Sequence, residues 1–329
     1  MNLRDATPDE IAEVLSRTHA LWSDGLELDA YREFIATLMA SDWAGEGERN
    51  YRFLVLTDDD TDDVAAAVKL YRFAARLDGG LIHVGGIGAV FTLPHARHRG
   101  YAADLIRKTH AIMTDRGDAL SLLYSEIGAR YYAGLGYRQL SAHALRIKVP
   151  MKVTVSTGSS PMHRNDLDHV IRIREMEDLA APFVLLRDRA NWKYLLARAS
   201  YPTLHLGRER WEKRLMLMDD HSGYMWSHFG DDHMGAGARL LEFGEVEPGR
   251  ALPALLDDFF EECRRRGVSE VEAWVSPALA ARDPRLAGPL VTRVEPPPFV
   301  PMWFPLDDEA ADDMKRHGQA AVLHLTDVF

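Results

Sequence analysis

The segment Ile87-Gly88-Ala89-Val90-Phe91-Thr92-Leu93-Pro94-His95-Ala96-Arg97-His98-Arg99-Gly100-Tyr101-Ala102 decides the fold of this 329-residue chain. It predicts a strand that ends in a short basic loop, and the loop leads directly into a helix. A helix N-terminus presents unpaired backbone N–H groups and the positive end of the helix dipole, and a glycine lets a ligand approach the backbone closely. Arg97 and Arg99 add positive charge. The segment therefore predicts a binding site for a phosphate-bearing anion.

The sequence on either side of this loop narrows the kind of phosphate site. The strand predicted over Leu81 to Leu93 contains three glycines, which mark a bulge or a ligand close to the backbone. A helix is predicted from Gly100 to Asp115. A dinucleotide-binding fold needs a Gly-x-Gly-x-x-Gly turn after its strand, whereas Gly86-Ile87-Gly88 lies inside the strand and has no third glycine.

Two short motifs resemble the GCN5-related N-acetyltransferase (GNAT) superfamily. Arg97 to Ala102 matches that family's pyrophosphate loop, which has Gln or Arg, two residues, Gly, one residue, and Gly or Ala. Tyr131-Tyr132-Ala133-Gly134-Leu135-Gly136-Tyr137 resembles the second marker of the family, a Tyr four residues before a Gly-aromatic pair. The resemblance implies an acetyltransferase fold and acetyl-CoA as the acyl donor.

The resemblance also implies roles for individual residues. The strand Val90 to Thr92 would leave its neighbour, pair with the pantetheine arm and stabilise the tetrahedral oxyanion. Tyr132 would protonate or hydrogen-bond the departing thiolate; the alternative is a packing aromatic on a short helix. The residues implied to bind the coenzyme are Val90, Phe91, Thr92, Arg97, His98, Arg99, Gly100, Tyr101, Ala102 and Ser125.

A closer resemblance is to mycobacterial enhanced-intracellular-survival acetyltransferases, through Tyr124-Ser125-Glu126, two tandem halves and a C-terminal Phe329. In that family the Ser-Glu pair contacts coenzyme A and the terminal Phe carboxylate is a base. The run Leu123 to Tyr132 also resembles fungal two-domain lysine N6-acetyltransferases. Too few residues follow Pro305 for the first family's third domain. Two roles therefore stay open for Phe329, a catalytic base or part of an apolar tail packed between the halves, and Glu126 is the next base to consider.

The chain has an internal repeat of two helices, two strands, a helix and a strand. A polar segment at 156–161 predicts a linker between a catalytic domain at 1–155 and a GNAT-like domain at 162–329. The second copy is expected to be degenerate, because its loop from Phe243 to Arg250 carries two glutamates where phosphates would lie. We therefore expect tandem GNAT folds of the α/β (α+β) class, each with a mixed central sheet flanked by helices.

Composition excludes several other classes of protein. A formal net charge of -11, from 39 Lys and Arg against 50 Asp and Glu, opposes binding to nucleic acid. No apolar run reaches the roughly 18 to 20 residues of a membrane span, and no secretory signal is recognised, so a cytoplasmic protein is expected. The triplets Asp219-Asp220-His221 and Asp231-Asp232-His233 are explained more simply as acidic turns than as a metal site. No metal is expected, and a homo-oligomer is left open.

The sequence thus predicts an acetyl-CoA-dependent N-acetyltransferase. The expected acceptor is a primary amine of a small cationic molecule such as lysine, a polyamine or an aminoglycoside. A protein lysine side chain is the alternative within the same class. A non-catalytic acyl-CoA-binding sensor is the alternative from a different class.

Overall fold

The computed structural model describes residues 1–45, 49–141, 143–153, 158–232, 235–295 and 297–327, and it has two mixed sheets flanked by helices. The elements of the first half are β1 (Asn2–Asp5), α1 (Pro8–Trp22), α2 (Leu28–Met39), β2 (Tyr51–Thr57), β3 (Val64–Leu77), β4 (Gly80–Thr92), α3 (Tyr101–Asp115), β5 (Leu120–Ser125), α4 (Arg130–Ala133), β6 (Arg138–Gln139) and β7 (Ala144–Lys148). Those of the second half are β8 (Ser159–Pro161), α5 (Leu167–Asp178), β9 (Phe183–Leu185), α6 (Arg189–Leu206), β10 (Trp211–Met218), β11 (Gly223–Asp232), β12 (Gly235–Glu245), α7 (Leu252–Arg265), β13 (Glu270–Trp274), α8 (Pro277–Ala280), β14 (Val291–Arg293), β15 (Val300–Pro305) and α9 (Asp308–His317).

The two sheets repeat one arrangement. The first has the strand order β1-β2-β3-β4-β5-β15-β6, with β9 added beside β3, and the second has the order β14-β7-β13-β12-β11-β10-β8. In each sheet a strand, a helix and a parallel strand follow one another along the chain: β4, α3 and β5 in the first half, β12, α7 and β13 in the second. The mixed α/β architecture predicted from the sequence is confirmed.

Strands of each half join the sheet of the other half: β7 joins the second sheet, and β9 and β15 join the first. β7 pairs with β13 in the second sheet, and β15 pairs with β5 in the first. The sequence predicts one long strand from Tyr137 to Val149. That prediction is wrong, because the segment divides into β6 and β7, which belong to different sheets. Within the polar segment at 156–161, Ser159–Pro161 form β8 at the edge of the second sheet. The boundaries drawn at 155 and 162 stay a prediction.

The glycines of β4 have different structural causes. Gly85 lies where α3 crosses the sheet, and a Cβ placed there would come within 2.6 Å of the Met113 side chain. The first glycine of the group therefore permits close packing of helix on strand rather than approach of a ligand. Gly88, by contrast, lines a cavity between the two halves.

The structure contains no described helix that is both long enough and apolar enough to cross a bilayer. Nor do the described residues include a group of three or more His, Cys, Asp or Glu side chains arranged to hold a metal ion. His233, from the second Asp-Asp-His triplet, lies outside the described residues.

Candidate active site

The loop after β4 begins α3 with an N-terminus that no described side chain caps. Its N-cap residue is Gly100, with a φ of 82°, and His98 also has a positive φ of 64°. Arg97 lies against the end of the strand, where its Nε donates a hydrogen bond of 3.3 Å to the Thr92 carbonyl. The first-turn N–H groups and the nearby arginines are thus brought together at the helix start, and anion binding there stays a prediction.

Two cavities adjoin at the end of β4. The loop cavity, of about 470 Å³, is lined by eight of the ten residues predicted to bind the coenzyme: Val90, Phe91, Thr92, Arg97, His98, Gly100, Tyr101 and Ala102. The central cavity, of about 260 Å³, lies between the two halves and is lined by residues of both. Trp22 and Val90 line both cavities, so a ligand that follows β4 passes from one to the other.

The two cavities meet where β4 separates from β5. The strands β4 and β5 are paired from Val84 opposite Leu120 to Ile87 opposite Leu123, whereas β4 continues to Thr92. Beyond Ile87, two residues of β4, Ala89 and Val90, face one residue of β3, and Ala89 has a φ of 48°. A bulge of this kind bends a strand and interrupts its ladder of hydrogen bonds. Backbone groups of β4 are thereby directed into the gap between the strands, as the family resemblance implies.

Tyr132 stands at the junction of the two cavities. It lines the central cavity, while its neighbour Tyr131 lines the loop cavity. Burial, reinforced by the nearby Tyr131 and by the negative charge of Glu126, raises the pKa of Tyr132 to about 12. The phenol therefore stays protonated at neutral pH and serves as a hydrogen-bond donor. Glu126 lines the same cavity.

The aromatic residue of the Gly-aromatic pair anchors this short helix. Tyr137 is buried, and its backbone N–H donates to the Tyr132 carbonyl at 3.1 Å. Its hydroxyl lies 2.8 Å from His110 Nε2 and 2.7 Å from Ser121 Oγ. Burial lowers the pKa of His110 to about 4, so the imidazole is neutral and the anchor is uncharged at physiological pH.

Two residues implied to bind the coenzyme line neither cavity. Arg99 is exposed in the loop. Ser125 is buried, and its hydroxyl donates to the Gly128 carbonyl at 2.6 Å, which closes the turn before α4. This bond places Ser125 behind Glu126 as a support for the turn, and its contact with coenzyme A stays a prediction.

Sequence reasoning missed the charged residues that the second half and β3 bring to the central cavity. Lys69 of β3 and Arg198 of α6 both line it. Burial and the nearby positive charge of Arg198 lower the pKa of Lys69 to about 8. The negative charge of Asp24 has a smaller, opposite effect. The signal for Lys69 was present in the sequence, because it is a charge inside the apolar run Val64-Ala65-Ala66-Ala67-Val68-Lys69-Leu70. Arg198 carries no such signal, because only the tertiary fold brings α6 to this wall.

Residues 2–140 match the family model described as the acetyltransferase (GNAT) domain. The fold of the whole chain is similar to that of a tandem GNAT protein from the clavulanic acid biosynthesis pathway, with 14% identity and a TM-score of 0.51, over 93% of this chain and 99% of that one. Residues 2–140 therefore match a GNAT acetyltransferase domain, and the chain shares its fold with tandem GNAT proteins.

Longer GNAT proteins share the fold at low sequence identity. A GCN5-related N-acetyltransferase from Anabaena variabilis is 16% identical with a TM-score of 0.64, over 93% of this chain and 73% of that one. Eis1 from Mycobacterium abscessus is 15% identical with a TM-score of 0.57, over 94% of this chain and 74% of that one. No curated protein sequence matches this chain significantly.

The C-terminal tail packs against residues of both halves, and its last described residues lie near the wall of the central cavity. Arg187 donates to Thr326 Oγ1 at 2.7 Å, to Asp327 Oδ1 at 2.6 Å and to Glu242 Oε2 at 2.8 Å. The charge of Asp327 acts on Tyr124, a residue of the cavity wall, where burial is the main cause of a raised pKa. Phe329, the predicted base, lies outside the described residues.

Proposed function

We propose that this protein transfers the acetyl group of acetyl-CoA to a primary amine by direct attack. The observation that carries the proposal is the pair of adjoining cavities, with the anion site at one end and Tyr132 at their junction. The pyrophosphate would lie on the open N-terminus of α3, and the pantetheine arm would follow Val90 to Thr92. The amine would enter from the central cavity.

In the proposed reaction the ammonium first loses a proton, and the nitrogen lone pair then attacks the thioester carbonyl carbon. The backbone at the β4 bulge stabilises the resulting oxyanion. The carbon–sulfur bond breaks, the nitrogen loses its second proton, and the departing thiolate is protonated. The phenol of Tyr132, with a pKa near 12, is a weaker acid than a thiol of pKa about 8.5, so it assists by hydrogen bonding or concerted transfer.

Two groups are proposed as the base, Glu126 and the C-terminal carboxylate of Phe329. Glu126 is supported by its place on the wall of the central cavity with Tyr132. The tail carboxylate is supported by the path of the chain, since Thr326 and Asp327 lie against Tyr194 and Arg198 at a small side cavity. Either carboxylate is too weak a base to deprotonate an ammonium directly and would act through water.

The charges of the central cavity bear on the proposed acceptor. Four cationic side chains line it, Lys69, Arg198, Lys213 and Arg239, against the two carboxylates of Asp24 and Glu126. A polyamine or an aminoglycoside would bring several ammonium groups against these cations. Among the expected acceptors a lysine-like amine with one reacting ammonium therefore fits best, and a protein lysine is the alternative.

The test is release of coenzyme A thiol from acetyl-CoA across a panel of primary amines. Tyr132→Phe should lower kcat by about 10²- to 10⁴-fold, the usual contribution of a positioned acid, with unchanged acetyl-CoA affinity. Tyr201→Phe, which removes a tyrosine hydroxyl from a residue that lines neither cavity, is the matched control and should retain activity. Tight acetyl-CoA binding by calorimetry without thiol release for any amine would favour the acyl-CoA sensor instead.

A further inference from the structure

The ammonium group of Lys69 in the central cavity has no hydrogen-bonded or ion-paired carboxylate among the described residues. Lys69 Nζ makes no hydrogen bond or ion pair with any described residue, and its one recorded contact is with the ring of Phe53, 5.5 Å away. The side chain is half-buried. Removing an ammonium from water without a partner is unfavourable, and the lowered pKa of Lys69 has the same cause.

A second cation faces Lys69 from the other half of the chain. Arg198 lies on α6 and lines the same cavity, and its positive charge contributes to the lowered pKa of Lys69. The same charge acts on the phenols of Tyr71 and Tyr194, which line the cavity as well. Two cations that repel each other across a cavity are stabilised together by one anion between them.

The central cavity is also lined by a neutral donor, Trp211, whose ring lies 5.3 Å from Lys213 Nζ. Trp211 is buried and lines the cavity, and its indole Nε1 has no hydrogen-bond partner among the described residues. A buried N–H without an acceptor is unfavourable, and an anionic oxygen is the acceptor that satisfies an N–H and nearby cations at once.

Two carboxylates line the cavity: Asp24, whose charge partly opposes the lowering of the Lys69 pKa, and Glu126. Glu126 acts on Tyr132, at the junction where acetyl transfer is proposed. Lys69 lies opposite Gly88 on the neighbouring strand, two residues before Val90, which corresponds to roughly 7 Å along the strand. A small acceptor therefore has room to place an ammonium near Glu126 and an anionic group near Lys69.

We propose that the acceptor is an amine that also carries an anionic group, and that Lys69 and Arg198 bind this group. The inference rests on the proposed acetyltransferase function and specifies its substrate class. A carboxylate suits the paired cations and the indole N–H, and a phosphate has the same chemistry. An acceptor of this class is zwitterionic, unlike a polyamine.

The test compares matched acceptors in the thiol-release assay with the full chain. L-Lysine with L-lysinamide, and β-alanine with β-alaninamide, differ only in the carboxylate; glucosamine 6-phosphate with glucosamine does the same for a phosphate. We expect at least one anionic member to exceed its neutral partner about tenfold or more in kcat/KM, through a lower KM, because a charge-assisted hydrogen bond contributes that much. The pair that responds identifies the anionic group.

Variants then assign the preference to the two cations. Lys69→Met and Arg198→Leu should each raise KM for the anionic acceptor about tenfold, with KM for acetyl-CoA and the melting temperature unchanged. Lys69→Arg should retain the preference. Lys193→Met is the control, since Lys193 is an exposed lysine on the same helix as Arg198.

Two results would overturn the proposal while the acetyltransferase function stands: neutral acceptors that equal their anionic partners, or variants that impair both members of a pair alike. Absence of thiol release from every amine would contradict the proposed function instead. In that case calorimetry with N-acetyl-β-alanine and its amide decides the subsite independently of turnover, and equal affinities would rule it out.

Discussion

The strand-to-helix loops of the two halves differ in what the backbone N–H groups at the helix N-terminus bind. In the first half, Gly100 begins α3 with no side-chain cap, beside exposed arginines. In the second half, the buried carboxylate of Glu245 accepts hydrogen bonds from the backbone N–H groups of Gly249, Ala251 and Leu252, at 2.8 to 2.9 Å. The protein's own carboxylate thus occupies the helix N-terminus where a phosphate would bind.

The charge of Glu245 is balanced inside the protein. Arg282 lies 3.4 Å from its carboxylate and donates at 3.0 Å to Glu177, whose carboxylate also accepts from the Glu245 backbone N–H. In the second half, therefore, a carboxylate of the protein itself occupies the helix N-terminus and stabilises it. This arrangement explains physically why a degenerate copy retains the fold, because the helix N-terminus is satisfied without a ligand.

The largest expected effect comes from giving the first loop the charge of the second. Gly100→Glu should weaken acetyl-CoA binding by about 10²- to 10⁴-fold, because it sets a carboxylate against the pyrophosphate where charge-assisted contacts are made. Calorimetry measures the change. Gly117→Glu is the matched control: Gly117 follows the same helix, and both glycines have a similar positive φ and open space at the Cβ position. Equal affinities for the two variants would remove the loop from the binding site.

The reverse experiment removes the internal anion from the second loop. Glu245→Ala should lower the free energy of unfolding by about 3 to 5 kcal/mol, because it leaves the buried N–H groups of the loop without their acceptor and removes one of the two carboxylates beside Arg282. Denaturant unfolding measures this, and acetyl-CoA affinity should not change. Glu247→Ala in the same loop is the control, since that side chain is exposed. If the two variants unfold alike, Glu245 is not the structural anion.

A smaller effect, on turnover, is expected from a change at the C-terminal tail of the second half. Adding Gly-Ser after Phe329 should reduce turnover about tenfold if the terminal carboxylate takes part as a base through water. Melting should not change, because Arg187 still holds Thr326 and Asp327. Normal turnover in the extended protein would leave Glu126 as the proposed base, and Glu126→Gln would then be the variant to measure.

Local sequence predicted the features that depend on local physics. The helix start at Thr7-Pro8-Asp9-Glu10 could be recognised because a capping box is a contact between residues three positions apart, and the structure contains it. The loop before α3 is of the same kind, since a helix N-terminus, a glycine and adjacent arginines occur within six residues. The prediction that the second loop carries its own anions followed from its sequence in the same way.

The sequence did not predict which strands pair across the two halves, because such pairing joins residues that are far apart in the chain. Pro301 and Pro305 argue against an internal strand, yet β15 lies between β5 and β6. It is tolerated because β6 pairs only with Met302 and Trp303, and Pro301 contacts the residue after β6 through its carbonyl, which accepts a hydrogen bond of 2.9 Å from the Leu140 N–H. The strand β10 was also missed, because its charged first residues conceal its alternation.

The sequence by itself predicted the resemblance to the GNAT superfamily, the anion site and the role of Tyr132, because each prediction rests on fewer than ten consecutive residues. Only the tertiary structure decided what faces the acceptor. Lys69 and Arg198 are separated by more than a hundred positions, and they line one cavity because the two sheets share strands and bring α6 against β3. The electrostatic character of a cavity is the sum of charges from distant segments, and composition gives that sum for the whole chain but not for one wall.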